Sequence, residues 1–438
     1  MARKILCGLL MALVVGGCKT KSPYDRSYVS EGLQERTDYE LGEVAEPGIF
    51  SFPAGVSLDD GLSQDEAVAL ALWNNAQFQA DLAALGFSRA DVLEAGMLPN
   101  PVFSIFFPVG PKLLEARLSY PIDVLWTRPH RVKAAKLDAH TLAENLIEHG
   151  LALVRDVRLA YVDLVLAEER VRLAREDVAI RSQAGELARK RLAAGDISEL
   201  AASAAIVDAL QAANDLERLS GEARIMRQRL DVKLGVPDAA APYNIEPETV
   251  VARTTVPIET LLETAFAARP DLRAVELQME AAGERLGWEK SKVFNLIAHI
   301  DAKDKGDPSV TIGPGLSAEI PIFNQNDGNI ARARAEIDQA ARQYEALRQS
   351  IRLQVQEAHI RYLSAHDEYD IWSSDILPNL AEAAEQAQKS FAAGEVSYLT
   401  VLEARQKLAA AQKQQTELTA LLNRNFVQLN YCVGQKLI

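Results

Sequence analysis

The chain repeats itself at long range. Arg191-Leu-Ala-Ala-Gly-Asp-Ile-Ser198 returns as Phe391-Ala-Ala-Gly-Glu-Val-Ser397, and the paired glycines Gly195 and Gly394 stand 199 residues apart. Tyr120-Pro121-Ile122 matches Ile320-Pro321-Ile322 at 200, and Leu230 to Gly235 matches Leu429 to Gly434 at 199. A period of about 200 is too long for a solenoid repeat. It describes two copies of a whole structural unit.

Each copy reads in the same order. A helix (about 62–96 and 257–292) leads into a region of strand character (about 100–122 and 294–322). A very long helix follows (about 128–193 and 327–393), then a Gly-containing turn and a last helix (about 197–235 and 397–433). The first repeat thus covers 61–235 with its tip at 194–198, and the second covers 257–438 with its tip at 393–397. Residues 236–256, with Pro237, Pro242 and Pro247, join them. The long helices carry an apolar seam at 3–4 spacing: Leu146, Leu153, Val157, Ala160, Leu164, Ala167, Val171, Ala174 and Val178, with one place skipped at Gly150. In the second copy the seam is Ile351, Val355, Ala358, Tyr362, Ala365, Tyr369, Trp372 and Ile376. Such spacing is coiled-coil packing. A helix of about 66 residues runs about 100 Å at 1.5 Å per residue, so the helices must pack in a rod or tube, with Pro378 placed to bend the second one. The composition agrees: 48% hydrophobic with only 6% aromatic suits long helices packed on small side chains.

The strand regions alternate. Leu296, Ala298, Ile300 and Ala302 share one face, while His299, Asp301 and Lys303 take the other. On the return strand Val310, Ile312, Leu316, Ala318 and Ile320 oppose Thr311, Ser317 and Glu319, and Asp304 to Pro308 turns the chain between them. In the first copy Leu114, Ala116, Leu118 and Tyr120 alternate with Glu115, Arg117 and Ser119, beside a more uniformly apolar Val102 to Phe107. Strands of about 9–11 residues with alternating faces are what an outer-membrane barrel needs. A two-stranded flap on a soluble helical rod is the competing reading, and Pro314 is awkward within a central strand. Four strands cannot close a barrel in lipid, where an open edge leaves backbone groups unsatisfied. Chains must pool their strands.

The N-terminus points to the same compartment. Arg3 and Lys4 precede an apolar run from Ile5 to Val15, too short to span a bilayer as a helix but right for a secretory signal. Val15-Gly16-Gly17-Cys18 has the form of a bacterial lipobox, which makes 1–17 the signal and Cys18 the lipidated first residue of an irregular arm over 18–60. Lys19, by analogy with enterobacterial sorting, directs the lipoprotein outward. The formal charge of −14 argues against a nucleic-acid partner. Three cysteines supply neither a disulfide framework nor a Cys-based zinc site. No GxxxxGK[ST], GxGxxG after a strand, GxSxG or HExxH motif is present, so the reading is of a non-enzyme.

A lipobox, two copies of helix–hairpin–long helix–tip–helix, the LPNP of Leu98 to Pro101 and the PIFNQNDGNIARARAE of Pro321 to Glu336 together resemble the TolC-type outer-membrane efflux proteins. The resemblance covers about 60–435. It implies an α+β, mainly α fold: a long α-helical coiled-coil barrel plus a transmembrane β-barrel, both shared by a homotrimer, with an equatorial girdle near 236–256. It implies a passive exit duct reached through a periplasmic adaptor and driven by an inner-membrane pump, with no cofactor beyond the covalent lipid on Cys18. The adaptor-docking tips would be Gly195, Asp196 and Ser198 with Gly394, Glu395 and Ser397. In the resembling proteins acidic residues ring the closed entrance about two turns beyond the second tip glycine; here those places hold Thr400 and Glu403, so the pattern is half kept. A periplasmic adaptor or a purely structural lipoprotein rod would explain the helices but leave the alternating strands idle. His359 and His366, seven apart near Glu357 and Asp367, read as a solvated helix face rather than a metal site. Glu168, Glu169, Glu176 and Asp177 among Arg170, Arg172 and Arg175 read as an exposed coiled-coil face, and Cys432 reads as a small buried thiol.

Overall fold

Helical spacing in the sequence becomes helix where caps allow it, and the chain breaks where they do not. The computed structural model describes residues 20–43, 46, 48–58, 61–107, 114–236, 243–247, 250–253, 256–304 and 310–437. Cys18 and its lipobox, Pro237, Pro242 and the 305–308 part of the second hairpin turn lie outside the described residues.

The arm is not irregular throughout: α1 covers Arg26–Thr37. Asp25 explains its start, since Asp25 Oδ1 accepts from the backbone N–H groups of Ser27 (3.0 Å) and Tyr28 (3.3 Å). The single helix expected over 62–96 is three: α2 (Gln64–Asn74), α3 (Ala76–Leu82) and α4 (Ala84–Gly96). A capping box between Ser63 and Glu66 opens α2. Asn75 ends it with ψ 114° and restarts the chain by accepting from Phe78 N–H at 3.0 Å. The helix expected over 257–292 likewise divides into α7 (Ile258–Ala268) and α8 (Pro270–Ser291). Pro270 is the reason: the residue before a proline is pushed out of the helical region, and Arg269 sits at φ −72°, ψ 122°.

Between these, α5 (Val124–Ala193) is one helix of 70 residues, and α6 (Glu199–Leu234) follows the first tip. In the second copy α9 (Asp327–Ile371) gives way to a π-turn at Trp372–Ile376 before α10 (Leu377–Ala392), and α11 (Tyr398–Val433) follows the second tip. Pro378 lacks the N–H that would bond to residue 374, and the wider turn, closed by Leu377 N–H on Trp372 O, absorbs that loss.

The seam expected in α5 is buried at Leu146, Val157, Leu164, Ala167 and Val171 and half-buried at Leu153, Ala160, Ala174 and Val178. Its skipped place has a cause: a Cβ on Gly150 would come within 2.6 Å of Leu33 Cδ2, so α1 enters the seam there. In α9, Ile351, Val355, Ala358, Tyr362 and Ala365 are buried. Two hydroxyls then tie these seams to backbone. Tyr161 Oη donates towards the carbonyls of Leu62 and Glu246, each at 2.8 Å, beside the short parallel bridge of Leu62 with Ile245. Tyr362 Oη donates to Ala252 O at 2.8 Å.

Strands β1 (Val102–Phe106), β2 (Leu114–Pro121), β3 (Leu296–Asp304) and β4 (Val310–Ala318) form one antiparallel sheet in the order β1-β2-β3-β4. The two hairpins, about 200 residues apart in sequence, are joined directly by β2 and β3. Two compact units result. One holds 1–29, 81–148 and 270–349, with the sheet; the other holds 30–80, 149–269 and 350–438, with both tips. No helix among the described residues is long and apolar enough to cross a membrane.

Candidate functional site

The register of the sheet sorts its side chains by face. Leu118 pairs with Ile300 and Ile300 with Pro314; Ala116 pairs with Ala302 and Ala302 with Ile312; Tyr120 pairs with Ala298 and Ala298 with Leu316. Phe103 and Ile105 extend that face onto β1, opposite Leu118 and Ala116. Apart from Asp304, which stands between Leu114 and Val310 at the hairpin end, the face is apolar, and Phe103 is 62% exposed, Ile312 62% and Leu316 66%, so the protomer leaves it uncovered. A continuous uncovered apolar surface of this kind calls for a partner or lipid.

The opposite face carries charges paired across strands, with Val102 and Phe106 of β1 and Ile297 of β3 among them. Arg117 stands opposite Asp301, with Nε donating to Oδ1 at 2.7 Å and Nη2 to Oδ2 at 3.2 Å. Glu115 stands opposite Lys303, their charged atoms 3.2 Å apart. These directly opposed pairs favour this register of β2 on β3. On β4 the same face carries Gly313 opposite Asp301 and Gly315 opposite His299. Gly315 leaves room for the His299 ring, since a Cβ there would lie 2.1 Å from His299 Nε2 unless the imidazole moved. Pro314 stands opposite Ile300 on β4, an edge strand within the single chain's sheet. Alternation in the sequence revealed the faces; the ion pairs between copies needed the register, which the sequence does not print.

The turn into α9 is closed by Asn326. It takes φ +64°, and its Nδ2 donates to Glu289 O and Oε2, both at 2.8 Å. Burial pushes the Glu289 carboxyl up, but hydrogen bonds from Lys292 and Asn326 outweigh it and hold the acid below its ordinary value. Glu284 behaves alike. Burial raises it, and Lys133 and His130 (Nδ1 to Oε2, 2.8 Å) bring it down.

The two tips are the same structure twice. Gly195 and Gly394 have φ +80° and +79°, which favours glycine. Asp196 N–H reaches Arg191 O and Glu395 N–H reaches Ser390 O, both at 2.9 Å; Gly195 N–H reaches Leu192 O and Gly394 N–H reaches Phe391 O, both at 3.0 Å. This is a Schellman ending. Ser198 then caps α6 through Ala201 N–H (3.2 Å), and Ser397 caps α11 through Thr400 N–H (3.3 Å). Asp196, Ser198, Glu395 and Ser397 are exposed, as are Thr400 and Glu403. Arg405, which the sequence sets near Glu403, bonds instead to Gln388 Oε1 at 3.2 Å. The second tip has an addition: the rings of Phe391 and Tyr398 meet at 5.2 Å, and Tyr398 Oη donates to Gln183 Oε1 at 3.2 Å.

Three surface readings change. His366 is 5% exposed and stands edge-on to Tyr362 at 5.0 Å, so it belongs to the α9 packing and not to a solvated face. Its neighbour at 359 is half-buried, and burial lowers the tendency of that imidazole to protonate. No group of three or more possible metal ligands occurs among the described residues. Of the charges on α5, Arg172 does bond along the helix to Glu169 and Glu176, but Glu168 pairs with Arg227 of α6 and Arg170 with Glu417 of α11. Two residues of that face, Glu168 and Arg170, therefore join helices. Cys432 is buried, as expected.

Comparison with known proteins follows the duplication. A model of the family described as outer membrane efflux protein matches residues 113–236 and 261–435. The chain is 25% identical to the cobalt-zinc-cadmium resistance protein CzcC of Cupriavidus metallidurans, over 80% of this chain and 85% of that protein. It is 24% identical to the probable outer membrane lipoprotein SilC of Salmonella typhimurium, over 72% of this chain and 71% of SilC. Among solved structures, CusC shares the fold with a TM-score of 0.70 at 20% identity, across 92% of this chain and 99% of that one. The outer membrane protein VceC of Vibrio cholerae does so with a TM-score of 0.70 at 17% identity, across 85% and 96%.

Proposed function

Because the chain belongs to the outer membrane efflux protein family, we propose that three copies of it form the outer-membrane exit duct of a tripartite export system. One observation carries this reading. The sheet has four strands, one apolar face and one face bearing paired charges, and two unpaired edges, β1 and β4. In lipid such edges must be closed. Three sheets joined edge to edge, β4 of one copy to β1 of the next, give a twelve-stranded barrel with the apolar face in lipid and the Arg117–Asp301 and Glu115–Lys303 pairs towards the bore. The long helices continue the wall as an α-barrel in the periplasm. Transport through it is passive; the duct holds no catalytic centre, and the lipid on Cys18 is its one covalent addition.

An inner-membrane pump and a periplasmic adaptor complete the system. The adaptor hairpin lies along the two tips, touching Asp196, Ser198, Glu395 and Ser397, whose matching exposed turns offer it the same backbone geometry twice per copy. Cysteines at Ser397 and on the adaptor tip should crosslink in cells; crosslinks only near 236–256 would reject the tip. Glu403, repeated by threefold symmetry, brings three carboxylates to the entrance and favours cations there. In planar bilayers Glu403→Gln should relieve block by trivalent cations, and an unchanged block would remove Glu403 from the entrance. Relatives named for cobalt, zinc and cadmium resistance and for cation efflux favour metal cations as cargo.

The assembly is tested on a gel. Purified protein should migrate as a compact trimer before boiling and as a monomer after, and fatty-acid labelling should depend on Cys18. A chain that runs as a monomer in both states, while remaining folded, would leave the structural rod as the better account.

A further inference from the structure

Two arginines stand where helices give way to strands. α4 ends at Gly96 and β1 begins at Val102, while β2 ends at Pro121 and α5 begins at Val124. Arg128 and Arg131, three apart and so on one face of α5, both reach back to the end of α4. Arg128 Nε donates to Gly96 O at 2.9 Å. Arg131 donates from Nε to Ala95 O at 2.9 Å and from Nη2 to Met97 O at 2.8 Å. Three successive carbonyls thus bring the two guanidinium groups together. These acceptors are neutral, so they position the charges without cancelling them. Lys133, by contrast, is paired with Glu284, whereas neither arginine forms an ion pair among the described residues. Both Nη groups of Arg128 and Nη1 of Arg131 take no part in these bonds, and solvent reaches them. Holding the last carbonyls of α4 uses one donor for each and leaves two charged forks open.

The same place is where the arm arrives. Thr20 lies against the end of α4, since a Cβ on Gly96 would meet Thr20 Oγ1 at 2.2 Å. Cys18 stands two residues earlier, about 7 Å of extended chain, so a lipid on it enters the bilayer close to Gly96. Met97 and Leu98 are exposed, and Leu98-Pro99-Asn100-Pro101 leads from them into β1, towards Phe103 on the uncovered apolar face. The two prolines keep the residues before them extended. Trp126, also exposed, donates from Nε1 to Ser291 O at 3.2 Å, and tryptophan is enriched at the boundary of a membrane with water. Open guanidinium groups beside exposed apolar side chains match one class of molecule. A phosphate takes the forks, and acyl chains follow Met97, Leu98 and Phe103.

We propose that Arg128 and Arg131 bind the phosphate of one anionic phospholipid of the inner leaflet. Two adjacent cations favour a headgroup of net negative charge over a zwitterionic one. The bound lipid joins α4 to α5 beside β1 and sets the depth at which the sheet sits. The site rests on the reading that the sheet lies in the membrane.

Native mass spectrometry of the purified full-length protein in detergent tests it, with dioleoyl phosphatidylglycerol as the probe. The parent should retain one such lipid per chain. Dioleoylglycerol, with the same chains and no phosphate, should not be retained, and inorganic phosphate at equal concentration should not displace the lipid. Arg128→Gln and Arg131→Gln should each weaken retention about fivefold, and the double variant should lose it. Unchanged retention in a folded double variant would overturn the site. So would equal retention of dioleoylglycerol and phosphatidylglycerol by the parent, a comparison that needs no variant. Quenching of a fluorophore at Leu316→Cys by brominated lipid reports the membrane reading separately. Quenching there without a preference for phosphatidylglycerol rejects this site alone; no quenching rejects the membrane reading and the site with it.

Discussion

The first copy holds its long helix unbroken for 70 residues, whereas the second interrupts it with a π-turn at Trp372–Ile376. The hairpins differ in the other direction: 5 and 8 residues in the first copy, 9 and 9 in the second. Against these differences the tips agree to within 1° in glycine φ, and each long helix sends a buried tyrosine hydroxyl to a backbone carbonyl, Tyr161 in one and Tyr362 in the other. What two copies of a unit keep is what the backbone requires: a way to turn between antiparallel helices and a lock on the segment that enters the seam. What they vary is strand length and helix regularity, which single residues such as Pro378 can set.

The largest effect expected from testing this contrast comes from moving its cause. Residue 179 of α5 corresponds to Pro378 at the tip offset and is an exposed alanine in regular helix. Ala179→Pro should destabilise by about 3 kcal/mol or more, through a lost hydrogen bond and a clash with the preceding turn. Pro378→Ala should cost under about 1 kcal/mol, because the π-turn has already absorbed the proline. Equal losses in thermal unfolding would show that the two helices are not distinguished by their turns.

Removing the hydroxyls is the next test. Tyr161→Phe and Tyr362→Phe should each cost about 1–3 kcal/mol, since a buried carbonyl loses its donor. The first copy should lose more, because Tyr161 faces two carbonyls and Tyr362 one. A reversed order in chemical denaturation would break the proposed equivalence. Smaller again are the tips. Gly195→Ala and Gly394→Ala meet no atom within 4 Å, so the cost is conformational alone, about 1–2 kcal/mol, and the same in both copies. Unequal shifts in Tm would mean that the Phe391–Tyr398 contact makes the second tip stiffer.

The smallest effect is one of pH. The Glu284 carboxyl is held below its ordinary value, so the folded state binds its proton less readily than the unfolded chain. Its contribution is present above the ordinary glutamate value of about 4.3 and declines as pH falls through the lower folded value. Acid melts of Glu284→Gln should therefore be flatter below that point than those of the parent, and a parallel curve would remove the His130 and Lys133 contacts from the account.

Much of this was legible in the sequence, for definite reasons. Period-two alternation gave the faces of β2, β3 and β4, and the glycine-centred repeat gave both tips, because each depends on neighbours in the chain. Gly150, seen as a gap in the heptads, was legible as a gap only; that Leu33 fills it is a long-range fact. Asn75 and Pro270 divide helices whose apolar spacing continues across them, so local backbone chemistry overrode the pattern. His366 is buried one turn beyond the seam residue Tyr362, and a seam traced through apolar residues alone passes over a histidine. The composition of the arm favours irregular chain, while the cap at Asp25 that starts α1 is a local signal within it.

The central claim is that the sheet lies in the outer membrane with one face towards lipid. Leu316 and Ser317 are neighbours on β4 that belong to opposite faces. A fluorophore on a cysteine at each position, in assembled protein reconstituted with brominated lipids, measures the claim residue by residue. The account predicts strong quenching at Leu316→Cys and little at Ser317→Cys. Equal quenching at both sites, or the reverse order, would contradict it.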